Sequence, residues 1–97
     1  MKKIMVQFEF TQEATKEQYD KVWEDLKASG NGNPKGLIFH VGAIRPEGGG
    51  SVVDIWESQE AFDEFGKVLM PIIQKNNLSP IQQPSIYPVH NIYQENK

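Results

Sequence analysis

The chain is expected to fold as an α+β sandwich, a four-stranded antiparallel sheet with two helices on one face, in the order β-α-β-β-α-β. Two observations predict this. Strand-like stretches rich in alternating, β-branched and aromatic residues are separated by two stretches whose apolar residues recur at helical spacing. The two middle strand-like stretches are joined by the turn-forming "PEGGGS" at 46–51, which makes them a hairpin.

Each element has its own local signal. Over residues 3–10, Ile4, Val6, Phe8 and Phe10 alternate with Lys3, Met5, Gln7 and Glu9, the period of a strand. "TKEQ" at 15–18 fits a capping box, with Thr15 covering free amides and Gln18 reaching back. Tyr19, Val22, Trp23 and Leu26 continue at helical spacing, and Gly30 supplies a stop. "LIFHVGAIR" at 37–45 and "VVDIWE" at 52–57 form the hairpin strands. Ser58 then caps a second helix, with Glu60 in the first turn where the dipole favours negative charge. Its apolar stripe runs from Ala61 to Ile73, and Pro71 within it predicts a kink or a break into two short helices. "SIYPVHNIY" at 85–93 is the last strand, and Pro88 favours an edge position for it.

Right-handed crossovers turn this order into the ferredoxin-like arrangement, with strand order 4-1-3-2. "IMVQF", "LIFHV" and "VVDIW" carry apolar residues on both faces, whereas the helices cover only one. The second face is expected to be buried by a partner sheet across a two-fold axis, which predicts a homodimer.

Composition bounds the function classes. At 97 residues the expectation is a single domain over 1–97. With no cysteine, thiol catalysis, disulfides and cysteine-ligated metals are excluded. The N-terminal "MKKIMVQFEF" is interrupted by Gln7 and Glu9 and does not read as a signal peptide, and the apolar run "VLMPII" is far too short to span a bilayer. A soluble cytoplasmic protein without membrane partners is expected. The net charge is -3 and the ten basic residues are scattered, so nucleic acid is not an expected partner. The glycines of "SGNGNPKG" match neither the dinucleotide nor the P-loop spacing.

"VVDIWESQEAFDEF", "LMPII" and "PVHN" resemble the dimeric α+β barrel superfamily, and within it the antibiotic-biosynthesis-monooxygenase-like proteins. The resemblance covers nearly the whole chain in element order, and the strand-to-helix junction "WESQEAF" is its most specific part. It implies two sheets closing into a barrel between subunits, with a pocket between sheet and helices in each. Members include cofactor-free oxygenases of aromatic polyketides, haem-degrading monooxygenases and small proteins without an assigned reaction. The haem-degrading branch needs an axial histidine on the second helix and an asparagine on the first strand. This chain has Phe65, Gly66 and Lys67 in that helix region and Gln7 and Glu9 on the strand, so no haem, and no other cofactor, is expected.

The hairpin allows a geometric expectation about the site. If Arg45 pairs with Ser51, paired positions sum to 96, and His40 lies opposite Trp56 and Gly42 opposite Asp54. His40, Asp54 and Trp56 then share one face, with Gly42 leaving room beside the carboxylate. A slip of one residue, or a bulge near the glycines, would send His40 to the other face. A histidine oriented by a carboxylate is suited to act as a general base, which makes His40 and Asp54 the candidate catalytic pair. In a cofactor-free oxygenase that base would deprotonate a phenolic substrate and prepare it for dioxygen. Trp56, with Phe8 or Phe10 from the neighbouring strand, would wall the aromatic ring, and Phe62, Phe65 and Gly66 of the second helix complete the substrate-binding residues.

Each of these residues also has a structural reading. His40 can be a hydrogen-bonded strand residue, Asp54 can pair with Arg45 or Lys35, and Trp56 can be core. Gly66 fits close helix-to-sheet packing as well as space for a ligand. Tyr19 and Trp23 read as core residues that could also reach the same cavity. His90 is expected to hydrogen-bond at the dimer interface, and two histidines without a third ligand make no metal site. An enzyme ranks narrowly ahead of a non-catalytic, small-ligand-binding or stress-related dimer.

Overall fold

The computed structural model describes residues 2–11, 14–78 and 84–93. The elements follow the expected order: β1 (Ile4–Phe10), α1 (Lys16–Ala28), β2 (Leu37–Ile44), β3 (Gly50–Trp56), α2 (Gln59–Lys75) and β4 (Ser85–Pro88). The strands form one antiparallel sheet in the order β2-β3-β1-β4, the ferredoxin-like topology, with β2 and β4 at its edges.

Local chemistry sets the helix ends. The Gln18 amide donates to Thr15 Oγ1 at 3.2 Å and the Thr15 amide donates to Gln18 Oε1 at 2.9 Å, so the capping box is formed. Ser58 caps α2 by accepting from the Ala61 amide at 3.2 Å. α1 ends at Ala28, and Gly30 takes the left-handed conformation just beyond it. α2 does not break into two short helices at Pro71: it is one helix of 17 residues. Pro71 and Lys67, whose carbonyl loses its helical partner, are both solvent-exposed, so water can satisfy that carbonyl.

The hairpin is tighter than expected. Gly48 donates its amide to the Arg45 carbonyl at 2.9 Å, and Arg45 donates to the Gly49 carbonyl at 2.9 Å. Pro46 sits where its preset φ favours the turn, and Gly48 and Gly49 take φ values of 105° and 79°. Arg45 therefore faces Gly49 instead of Ser51, and Ile44 pairs with Gly50, Gly42 with Val52 and His40 with Asp54. This corrects the expected register by two residues. An even shift preserves the faces, so His40 keeps the side expected for it. The one irregularity lies between Leu37 and Phe39, beyond His40 as counted from the turn.

β4 is shorter than the 85–93 expectation and ends at Pro88, which has no amide with which to extend the ladder. The Val89 amide still donates to the Lys3 carbonyl at 3.0 Å.

The core lies between the sheet and the helices. Ile4, Val6, Phe8 and Phe10 alternate buried along β1, and Val52, Asp54 and Trp56 do the same along β3. Val22 and Leu26 of α1 and Ile73 of α2 close over them. The opposite face of the sheet carries Met5, Val53, Ile55, Phe39, Val41 and Tyr87, placed together by the strand register. Phe39, Val41 and Tyr87 are 44%, 45% and 52% exposed there.

Candidate functional site

The site begins with the pairing of two strands. His40 on β2 lies directly across from Asp54 on β3, and both side chains point toward the helices. The Asp54 side chain is 6% exposed and that of His40 20%. Asp54 Oδ1 stands 2.5 Å from His40 Nδ1, and Asp54 Oδ2 accepts from the Trp56 indole N–H at 3.3 Å. Trp56 is two residues along the same strand, so the alternation that buries Asp54 also buries its donor.

The fourth member comes from α1. Tyr19 stands in the first turn, and its hydroxyl lies 2.6 Å from His40 Nε2. The two rings are nearly coplanar, at 15°. Trp23, four residues on and so on the same helix face, sets its ring edge-on to His40 at a centroid distance of 4.9 Å. Tyr19 reaches this position because residue 42 has no side chain. A Cβ there would lie 2.7 Å from the Tyr19 ring and hydroxyl. The room that Gly42 leaves lies opposite Val52, not opposite the carboxylate as expected, and the Tyr19 phenol fills it.

These contacts fix the direction of the hydrogen bonds. An ionised Asp54 can only accept, so His40 Nδ1 carries a proton and donates to it. In the neutral ring Nε2 is then an acceptor, and the Tyr19 O–H donates to it. Burial pushes the Tyr19 phenol above its ordinary range, and the Asp54 charge pushes the same way, so Tyr19 remains a donor at neutral pH. The result is a chain running from Tyr19 through His40 to Asp54, with Trp56 holding the far oxygen.

This chain borders an apolar cavity of about 40 Å³ between the sheet and both helices. Phe8, Phe10, Tyr19, Trp23, His40, Asp54, Phe65 and Leu69 are among the residues that line it. By comparison, an engineered apolar cavity that binds benzene measures about 150 Å³. The cavity as it stands is thus smaller than an aromatic ring requires.

The expected site residues divide into two groups. His40, Asp54, Phe8 and Phe65 meet at the cavity. Trp56 is wholly buried behind it, packed on Phe65 at 5.2 Å and Phe62 at 5.9 Å between ring centroids. It reaches the site through its N–H alone. Phe62 packs between Trp56 and Phe8 and, like Gly66, is not among the cavity-lining residues. A Cβ at Gly66 would meet nothing within 4 Å, so close packing against the sheet is not what that glycine serves. Asp54 pairs with neither Arg45 nor Lys35; the Arg45 guanidinium lies 3.7 Å from Glu9. His90 lies exposed beyond the end of β4. Among the described residues, no three His, Asp or Glu side chains come together as a metal-ligand set.

Tyr19 as a direct partner of His40 is what sequence reasoning missed. The available signal was the i, i+4 pair Tyr19 and Trp23, together with a glycine two residues from His40 on the same strand face.

No protein-family model matches the sequence, and no curated protein matches it. Solved structures do. SnoaB, a cofactor-independent oxygenase from Streptomyces nogalater, superposes with a TM-score of 0.71 at 11% identity, over 98% of this chain and 100% of that one. A candidate antibiotic biosynthesis monooxygenase from Caulobacter crescentus CB15 gives 0.60 at 20% identity, over 95% and 92%. A dimeric ferredoxin-like protein from an uncultured marine organism gives 0.62 at 12% identity, over 99% and 95%. These likenesses span whole chains while few residues agree, so what they establish is architecture. The chain has the ferredoxin-like α+β fold that these solved structures share.

Proposed function

We propose that the chain is a cofactor-independent monooxygenase of a small phenolic, polyketide-like aromatic, working as a homodimer. The observation that carries this reading is the Asp54–His40–Tyr19 hydrogen-bond chain at the wall of an apolar cavity. His40 Nε2 is the base. It takes the phenolic proton of the substrate, and Asp54 stabilises the imidazolium that results. The substrate anion passes one electron to dioxygen, and the radical pair joins to form a C–O bond. The peroxide then loses water as the remaining C–H proton leaves and the O–O bond breaks. The net change converts the phenolic O–H, one ring C–H and O₂ into the paired C=O groups of a quinone and H₂O, the peroxide taking back the proton that His40 accepted, with every electron supplied by the substrate. SnoaB, with the same fold, is a cofactor-independent oxygenase, which agrees with this reading.

The homodimer is supported by the uncovered apolar face of the sheet, around Phe39, Val41, Ile55 and Tyr87, and by the dimeric ferredoxin-like protein that shares the fold. A second sheet laid on that face would bury it. His90 then serves as an interface hydrogen-bonder.

The decisive experiment measures oxygen consumption with hydroxylated anthrones and naphthols. Wild type is expected to consume oxygen, and His40→Ala to lose about 100-fold or more of the rate, the usual contribution of a positioned base. Two observations favour a second reading, a dimer that binds a small ligand without turnover: the cavity measures only about 40 Å³, and Nε2 is already occupied. Ligand binding retained in both proteins, with no oxygen consumed by either, would select it.

A further inference from the structure

The base of the proposed mechanism already holds a phenol, that of Tyr19, whose hydroxyl donates to His40 Nε2 at 2.6 Å. The adjoining cavity of about 40 Å³ is well below the roughly 150 Å³ that accommodates benzene. No aromatic ligand fits beside Tyr19, so one that reaches Nε2 must take its place. Three features suit Tyr19 to leave. It stands in the first turn of α1, it is only half-buried, and its ring lies against the bare backbone of Gly42 instead of being locked by a side chain there.

We infer that Tyr19 is a displaceable internal ligand of His40. A neutral hydroxyarene enters by exchanging its own O–H for that of Tyr19 on Nε2, and the vacated phenol site becomes the binding site for the ligand's hydroxylated ring. This rests on the reading of His40 as the proton acceptor for a phenolic ligand, and it adds a positioning role for Tyr19. The exchange replaces one neutral O–H···N bond by another, with no charge created and no bond order changed. Affinity is therefore limited by the cost of displacing Tyr19, which two different substitutions relieve. Tyr19→Phe removes the hydroxyl and keeps the ring. Tyr19→Ala removes hydroxyl and ring together and leaves the site over Gly42 open.

The test is anaerobic calorimetric titration at pH 8, so that binding is read without turnover. The probes are 2-naphthol and its methyl ether, which has nearly the same shape and no proton to donate. Tyr19→Phe and Tyr19→Ala should each bind 2-naphthol about two- to tenfold more tightly than wild type, the range a single net hydrogen bond supports. All three proteins should prefer the naphthol over the ether, and His40→Ala should lose that preference. The inference is overturned if neither variant gains affinity, if no protein binds the naphthol, or if the preference vanishes in Tyr19→Phe. That last result would mean that Tyr19 holds the ligand itself. Tighter binding in both variants with no oxygen uptake in air would overturn the oxygenase and leave the exchange standing.

Discussion

Tyr19, His40, Asp54 and Trp56 form the only hydrogen-bonded group that unites α1, β2 and β3 among the bonds described, and each atom in it has a defined role. Asp54 is the costly member. A buried carboxylate is tolerated because two donors face its two oxygens. Asp54→Leu leaves both donors unpaired and is expected to lower stability by about 1–3 kcal/mol per orphaned group, measurable by urea unfolding. Tyr19 gives a pH signature. Burial raises its pKa above the ordinary 10.0, so its contribution to stability is complete below that value. That contribution is lost as pH rises further, through the folded-state pKa. Wild type should therefore lose stability above about pH 10 more steeply than Tyr19→Phe, seen in thermal melts across that range. His40 and Asp54 were legible in sequence because the parity of a hairpin puts alternate residues on one face. Tyr19 was not, because its reach depends on how α1 crosses β2.

At the scale of elements, the two N-caps position the site. Thr15 and Gln18 close the first turn of α1, the turn that carries Tyr19. Thr15→Ala is expected to cost about 1 kcal/mol, seen as a shifted urea midpoint with an unchanged slope. α1 is tied to the end of α2 where Asn76 Nδ2 donates to Asp25 at 3.0 Å and to the Ile72 carbonyl at 2.9 Å. That bond to Asn76, followed by the one from Lys21, holds the Asp25 carboxyl below its ordinary 3.8. The stability it contributes is present above that pH and lost as pH falls through the lower folded-state value. Asn76→Ala should destabilise the protein at neutral pH and flatten its acid unfolding profile, followed by circular dichroism. The hairpin shows how local chemistry sets an element. "PEGGGS" marked a turn in sequence, but which glycines belong to it was decided by hydrogen bonds between Arg45 and Gly48 and Gly49.

At the scale of the whole molecule, the sheet has one face covered by helices and one bare. Phe39, Val41, Ile55, Met5 and Tyr87 lie on the bare face, an apolar patch of the kind that marks an association surface. Sedimentation velocity is expected to show a dimer for wild type and a monomer for Val41→Glu, since a carboxylate there would be buried without a partner. A monomeric wild type would remove the homodimer. Among the described residues no helix is long and apolar enough to cross a membrane.

The sequence by itself determined the element order, the sheet topology, both N-caps and, given an even hairpin register, the shared face of His40, Asp54 and Trp56. All of these follow from short-range spacing: periods of two and 3.6, cap residues, and the parity of a hairpin. Only the tertiary structure decided the two-residue register, the unbroken course of α2 through Pro71, and the seating of the Tyr19 phenol over Gly42 on His40. Those depend on distances between segments far apart in the chain. Residues 19, 40 and 54 come into one network only after the helix has packed on the sheet, a meeting that local patterns mark by its participants but do not encode.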